Sequence, residues 1–136
     1  MEMAGFIEKQ KMRLFFFLLV ILISIQTKAQ LGYTKSEIIK LHGTDYKTEV
    51  ALDGSVYISY YDGFSKNAYF FDGNGACNAV TNIIPAVAMN EMIKGLDKKY
   101  IKLSELKWKN YPNNIIITVV PIDDKMFELD YVYDSH

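Results

Sequence analysis

The stretch "YFFDGNGACNA" holds the only cysteine of the chain, Cys77, close behind Asp72 and Asn74. A calcium loop, a nucleophile site and a tight turn are the three interpretations open to it. A calcium loop of the EF-hand type needs oxygen ligands at positions 1, 3, 5 and 12, the last of them a glutamate. Asp72 and Asn74 fit the first two positions, but Ala76 and Ile83 occupy the other two. The pattern therefore favours a hairpin turn.

A nucleophilic Cys77 would need a general base and a lowered pKa. The chain has two histidines, His42 near the end of a predicted helix and His136 at the last position. A favourable interaction with the helix dipole explains a histidine at this C-terminal position better than metal binding does. Cys77 shares strand parity with Ala79 and Thr81, which favours a small buried residue.

No other pattern in the chain indicates a common catalytic site. Serine-hydrolase elbows, phosphate loops, dinucleotide fingerprints and His-Glu-x-x-His are all missing from the sequence. Asp53, Asp62 and Asp72 each precede a glycine, but successive turns of a meander lie at opposite ends of a sheet, so the three cannot form one site. We expect no catalytic residue, no metal and no cofactor, and hence a non-enzymatic protein.

The first element is a predicted helix in "YTKSEIIKLHG". Thr34 and Glu37 have the spacing of a capping box, in which each side chain binds the backbone amide of the other residue. Gly43 suits the left-handed residue that closes a helix. The pattern predicts a two-turn helix from about residue 35 to 42. Its buried stripe is expected to be Ile38, Ile39 and Leu41.

Alternating segments separated by the three Asp-Gly turns follow, namely "KTEVAL", "SVYISYY", "NAYFF" and "ACNAVTNII". Asp-Gly is a strong local hairpin signal, so these four segments predict a meander. An amphipathic helix is then predicted in "AVAMNEMIKGLDKKY". Its apolar face is expected to carry Met89, Met92, Ile93, Leu96 and Tyr100.

Three further strands are predicted in "ELKWKNY", "IIITVVPI" and "FELDYVY". The order of elements indicates an α+β fold: an antiparallel sheet, made of a four-strand meander and then three strands, with two helices packed on one face. Residues 30–136 form this single domain, because the remaining length leaves no room for a second one.

Residues 1–29 have the three-part pattern of a secretory signal peptide. Lys9, Lys11 and Arg13 precede the apolar run "LFFFLLVILISI", and the small-residue site "TKA" ends at Ala29. The run is shorter than the roughly 20 residues that span a bilayer as a helix. We expect cleavage after Ala29, which leaves a periplasmic or secreted protein without a stable membrane anchor. Met12 is an alternative start that leaves the mature chain unchanged.

The net charge of −1 gives no reason to expect a nucleic-acid partner. The ten tyrosines are the remaining unusual feature. Strand alternation places Tyr57, Ser59 and Tyr61 on the sheet face opposite Ile58, so they are exposed if the helices cover Ile58. Exposed tyrosines are typical of binding surfaces. Tyrosine is also common in strands simply because it favours strand structure. These three residues are the candidate binding surface.

The first half of the chain also resembles a known group of exported proteins. The helix "YTKSEIIKLHG", followed by "DGSVYISYY" and "YFFDGNGAC", is similar to the outer-membrane assembly lipoprotein BamE (the SmpA/OmlA group) and to the β-lactamase inhibitor protein. The resemblance covers residues 33–80. The lipidated cysteine of the lipoproteins is missing, and the second half is longer than theirs. The whole chain resembles uncharacterised exported proteins of Bacteroidota.

The resemblance implies a compartment and a fold but no activity. The leading hypothesis is a non-enzymatic domain that binds another periplasmic or secreted protein through a sheet surface or edge. The alternative is a small-ligand-binding protein, or an unrecognised enzyme, with a pocket between the sheet and the second helix near Met89, Met92 and Tyr100. A homodimer paired through an edge strand is a further possibility.

Overall fold

The computed structural model describes Lys11, Arg13 and residues 30–135. The rest of the predicted signal peptide and His136 lie outside the described residues. The elements, in chain order, are α1 (Lys35–His42), β1 (Lys47–Val50), β2 (Val56–Tyr61), β3 (Lys66–Phe71), β4 (Cys77–Pro85), α2 (Met89–Lys99), β5 (Ile101–Ser104), β6 (Lys107–Asn110), β7 (Ile115–Pro121) and β8 (Met126–Tyr133).

The strands form one antiparallel sheet in the order β1-β2-β3-β4-β8-β7-β6-β5. Each half of the chain is a four-strand meander, and the halves join where β4 pairs with β8, for example at Val80 and Tyr131. Helix α2 carries the chain from the middle of the sheet to its far edge, so that the second meander runs back towards β4. The architecture is α+β, as the sequence indicates.

The sheet has eight strands, so the prediction of seven is wrong. The missed strand is β5, which pairs with β6 at the edge of the sheet. All four of its residues are exposed, and neither glycine nor proline marks the turn at Glu105 and Leu106 before β6. A short exposed strand with an unmarked turn has no local signal that separates it from its neighbours.

Helix α1 has the predicted bounds because its capping signals are local. Thr34 Oγ1 accepts a hydrogen bond from the Glu37 backbone amide, and Glu37 Oε1 accepts one from the Thr34 amide. Gly43 ends the helix with a φ of 96°, a conformation that favours glycine. Ile38 is fully buried, but Leu41 is 57% exposed, so the predicted stripe is wrong at Leu41. This two-turn helix makes its deepest contact through Ile38.

Both helices contribute to one hydrophobic core on the same face of the sheet. Ile38 from α1 and Met92 and Leu96 from α2 belong to this core. A row of directly paired sheet residues runs beneath them. The row consists of Ile58, Tyr69, Val80, Tyr131, Ile117 and Trp108, each at most 4% exposed. The predicted apolar face of the second helix is correct, since Met89, Ile93 and Tyr100 pack against the core.

In the described part of the chain, no helix has the length and apolar character that crossing a membrane requires.

Candidate functional site

We call the sheet face away from α1 and α2 the open face. Residues paired across an antiparallel sheet point to the same side, so the register defines rows of side chains on this face. One row crosses all eight strands and is mainly apolar. This apolar row consists of Ile101, Lys109, Ile116, Val132, Ala79, Phe70, Tyr57 and Glu49.

A second row on the open face, the hydroxyl row, is polar. It consists of Lys107, Thr118, Asp130, Thr81, Ala68, Ser59 and Lys47. Thr81 Oγ1 donates a hydrogen bond to Asp130 Oδ1 at 2.9 Å near the centre of the row. The open face therefore has an apolar stripe beside a stripe of hydroxyls with lysines at both ends.

The three residues of the candidate binding surface lie on the open face but differ in exposure. Tyr57 is half-buried and stacks on Phe70 with 4.6 Å between ring centroids. Ser59 is buried, and its hydroxyl donates to Glu49 Oε2 at 2.9 Å. Tyr61 is 73% exposed. Of the three, Tyr61 is thus the one that offers its whole ring to a partner.

Around Ser59 and Tyr61 the surface forms a groove of about 310 Å³ at the β1 end of the open face. We call this space the β1 groove. Its lining residues are Asp45, Lys47, Glu49, Ser59, Tyr61 and Lys66. Glu49 and Lys66 form an ion pair at 2.8 Å, and each is about one-third exposed. The hydrogen bond from Lys66 lowers the pKa of Glu49, and Ser59 adds to this effect.

Two carboxyl groups, Asp130 and Glu128, lie two residues apart on β8 near the middle of the open face. Burial raises the pKa of both groups, and the neighbouring charge of Asp130 raises that of Glu128 further. A raised pKa means that ionisation opposes folding. The stability contributed by the neutral forms is therefore lost as the pH rises from about 4 through the raised values.

Replacing Asp130 with asparagine is expected to stabilise the domain at pH 7 by about 0.5–1 kcal/mol, because it removes a partly buried charge next to Glu128. Asparagine keeps an oxygen to accept the hydrogen bond from Thr81. Urea unfolding at pH 7 and at pH 4 measures the change, and the gain should shrink at pH 4. Asp124→Asn, in an exposed turn, is the control. An equal gain at both pH values would contradict this account.

Cys77 lies in the core, and its predicted strand parity is wrong. A register shift between Phe70 and Phe71 pairs Cys77 with Phe71, so Cys77 faces the helices while Ala79 and Thr81 face the other way. Burial raises the pKa of the Cys77 thiol to about 11. The thiol is therefore protonated at neutral pH, which disfavours a nucleophilic role.

His42 belongs to an aromatic cluster on the helix-covered face. Its Nε2 lies 2.9 Å from Gln30 Oε1 and 3.2 Å from Tyr69 Oη, and its ring is 5.4 Å from that of Tyr60. Burial lowers the pKa of His42, which opposes the helix-dipole effect expected from the sequence. The neutral ring therefore serves as a hydrogen-bonding contact between α1 and the sheet.

The hairpin turn predicted in "FDGNGAC" is correct. Asp72 Oδ1 accepts hydrogen bonds from the backbone amides of Asn74 and Ala76, which occupies one carboxylate oxygen within the turn itself. Asp53 and Asp62 bind the amides of their own turns in the same way. Within residues 30–135, no three side chains of the metal-binding types lie close enough together to hold an ion.

The alternative site between the sheet and the second helix is occupied by side chains of the protein. Met92 is 2% exposed in the core, and Met89 and Tyr100 pack against it. A second surface hollow of about 260 Å³ includes Tyr100, but it opens towards the β6–β7 turn with Tyr111 and Pro112 in its wall. Filled packing around Met92 counts against a ligand pocket under α2.

Glu49, Lys66 and Asp130 lie outside the binding surface that the sequence predicts, which is Tyr57, Ser59 and Tyr61. The alternation of Lys47 and Glu49 in "KTEVAL" was available as a signal that they share a face. Their approach to Lys66 depends on the pairing of three strands, which no local pattern encodes.

Fold and site together define a class of protein: an α+β domain with one antiparallel sheet and candidate binding residues on the face that neither helix covers. No model of a known protein family, no curated protein and no solved structure matches the chain. The resemblance to BamE and the β-lactamase inhibitor protein stays a prediction from the sequence.

Proposed function

We propose that the protein is an exported, non-enzymatic domain that binds another periplasmic or secreted protein through the open face of its sheet. The observation that carries this proposal is the apolar row on a face that neither helix covers. Tyr57 and Phe70 stack within the row, Val132 is 39% exposed, and Ile101 is 60% exposed.

The composition of the open face fits a protein partner. Protein interfaces combine a core of aromatic and aliphatic side chains with a polar rim. On the open face, the apolar row supplies the core, while Lys47 and Lys107 stand at the two ends of the neighbouring hydroxyl row. Two acidic groups, Glu128 and Asp130, lie beside the apolar residues and favour a partner that brings a cation.

The surface of the sheet is a better candidate than its edges. Both edge strands, β1 and β5, are four residues long, and each carries a lysine. Short edges with lysine are typical of sheets that avoid pairing with another chain. A homodimer formed through an edge strand is therefore the weaker alternative.

Export is the second part of the proposal, and the sequence pattern of residues 1–29 supports it. The chain has one cysteine, Cys77, which has no second cysteine to pair with, so in an oxidising compartment the stability of the domain comes from its core. The proposed partner is consequently a protein of the same compartment, with no role for nucleic acid.

The test begins with expression of the full chain in a cell that exports proteins. We expect the exported fraction to contain the mature protein, with the mass of a chain that begins at Gln30. Mature protein on a resin is then used to capture partners from that fraction, and binding of the recovered protein is measured with purified components. The variant Tyr57→Ser, Tyr61→Ser is expected to weaken binding about a hundredfold, since buried aromatic contacts dominate interfaces.

Tyr33→Ser is the matched control, because Tyr33 is 37% exposed and lies outside the strands of the sheet. It should bind as the wild type does. Equal binding by the double variant and the wild type would refute the open face as the interface. Retention of an uncut chain inside the cell would refute export without affecting the interface. Size-exclusion chromatography at two concentrations separates a homodimer from a different partner.

A further inference from the structure

The β1 groove has the volume of a small-molecule site and a carboxylate that is held by two contacts. Its volume of about 310 Å³ lies at the lower end of the usual range for such sites. Glu49 is fixed by two contacts, the ion pair with Lys66 at 2.8 Å and the hydrogen bond from Ser59 at 2.9 Å. A fixed carboxylate is preorganised to accept further hydrogen bonds.

The charges in the β1 groove balance. The groove is lined by two carboxylates, Asp45 and Glu49, and two ammonium groups, Lys47 and Lys66. The hydrogen bond with Glu49 raises the pKa of Lys66 and that with Lys66 lowers the pKa of Glu49, so both stay charged at neutral pH. A groove without net charge gives a singly charged ion no overall attraction, which favours a neutral ligand with many hydrogen-bonding groups.

Tyr61 supplies an apolar surface in the same groove. The Tyr61 side chain is 73% exposed. The Lys66 ammonium also lies 5.9 Å from the ring centroid of the neighbouring Tyr57. An exposed aromatic ring gives a flat apolar platform beside charged donors and acceptors.

We infer that the β1 groove binds a neutral saccharide. Each sugar hydroxyl donates to a carboxylate and accepts from an ammonium at once, and these charge-assisted hydrogen bonds are stronger than neutral ones. The C–H face of the sugar ring packs on Tyr61. This site goes beyond the proposed protein partner, because it uses the charged side chains around the β1 groove, of which Glu49 alone belongs to the apolar row.

The experiment is an amide-shift titration of the ¹⁵N-labelled mature protein with three disaccharides: maltose, cellobiose and N,N′-diacetylchitobiose. At least one is expected to bind at millimolar concentration and to shift the amides of residues 45–49, 57–61 and 66. Glu49→Gln should weaken that binding about tenfold, because it removes the charge of the fixed acceptor. Glu128→Gln, a carboxyl change on the same face outside the groove, should leave it unchanged.

The outcomes separate this inference from the proposed function. No shift with any of the three sugars, in protein whose spectrum shows the native fold, overturns the saccharide site. A separate titration with glycine tests for a zwitterion site, and shifts with glycine but with none of the sugars overturn the saccharide site as well. Val132→Asp places a charge in the apolar row and should abolish protein binding while sugar binding persists. Glu49→Gln keeps the size of the side chain at the end of the apolar row, so it should weaken sugar binding about tenfold while protein binding persists.

Discussion

Trp108→Ala is expected to lower the free energy of unfolding by about 3–5 kcal/mol. The Trp108 side chain is completely buried on β6, opposite Ile117 in the row of paired sheet residues beneath the helices. Its Nε1 donates a hydrogen bond to Asp97 Oδ1 at 2.9 Å, which ties β6 to α2. Because domains of this size are stable by about 5–15 kcal/mol, the loss leaves little or no folded protein under mild denaturing conditions.

Urea unfolding followed by far-ultraviolet circular dichroism measures the effect without relying on tryptophan fluorescence. Asp97→Asn separates the two contributions, since asparagine keeps an oxygen that accepts the Trp108 hydrogen bond. Asp97 is partly exposed and pairs with Lys102 at 3.5 Å, so we expect this control to cost less than about 1 kcal/mol. A loss below 1 kcal/mol for Trp108→Ala would show that Trp108 is not a central core residue.

Tyr131→Phe, in contrast, is expected to raise the free energy of unfolding by about 1–3 kcal/mol. The Tyr131 hydroxyl is buried and has no hydrogen-bond partner among the described residues. Burial raises the pKa of Tyr131 above its usual range, which reflects the same lack of solvation. Phenylalanine keeps the ring that pairs with Val80 and Ile117 and removes the unsatisfied group.

The same urea experiment tests this change, with Tyr61→Phe as the control. Tyr61 is exposed to solvent, so loss of its hydroxyl should alter stability by no more than about 0.5 kcal/mol. A loss of stability in Tyr131→Phe would contradict the prediction, because it would mean that the hydroxyl is satisfied, for example by a buried water.

Much of the local structure follows from the sequence because its signals lie within a few residues. The capping box of Thr34 and Glu37 and the closing Gly43 set both ends of α1. The aspartates of the hairpin turns bind the amides of their own turns, so each turn is encoded locally. Alternation in "SVYISYY" likewise places Ile58 in the core and Tyr61 on the open face.

Local signals failed where exposure or register decided the outcome. The edge strand β5 alternates apolar and polar residues in "IKLS", but it is only four residues long and no glycine or proline separates it from α2 or β6. The bulge beside Phe70 moves Cys77 to the core face. Simple alternation along the strand would have placed Cys77 on the same face as Ala79. Ser59 is buried although it lies on the open face, because Glu49 from the neighbouring strand reaches its hydroxyl.

The sequence by itself determined the class of fold, the two helices, the first four strands and the face on which Tyr57 and Tyr61 lie. The tertiary structure alone decided that β4 pairs with β8, and it assembled the β1 groove from side chains of β1, β2 and β3. The physical reason is the range of the interactions. Helix caps, turns and alternation depend on neighbours in the chain, whereas strand pairing and the contact of Glu49 with Lys66 depend on residues that folding alone brings together.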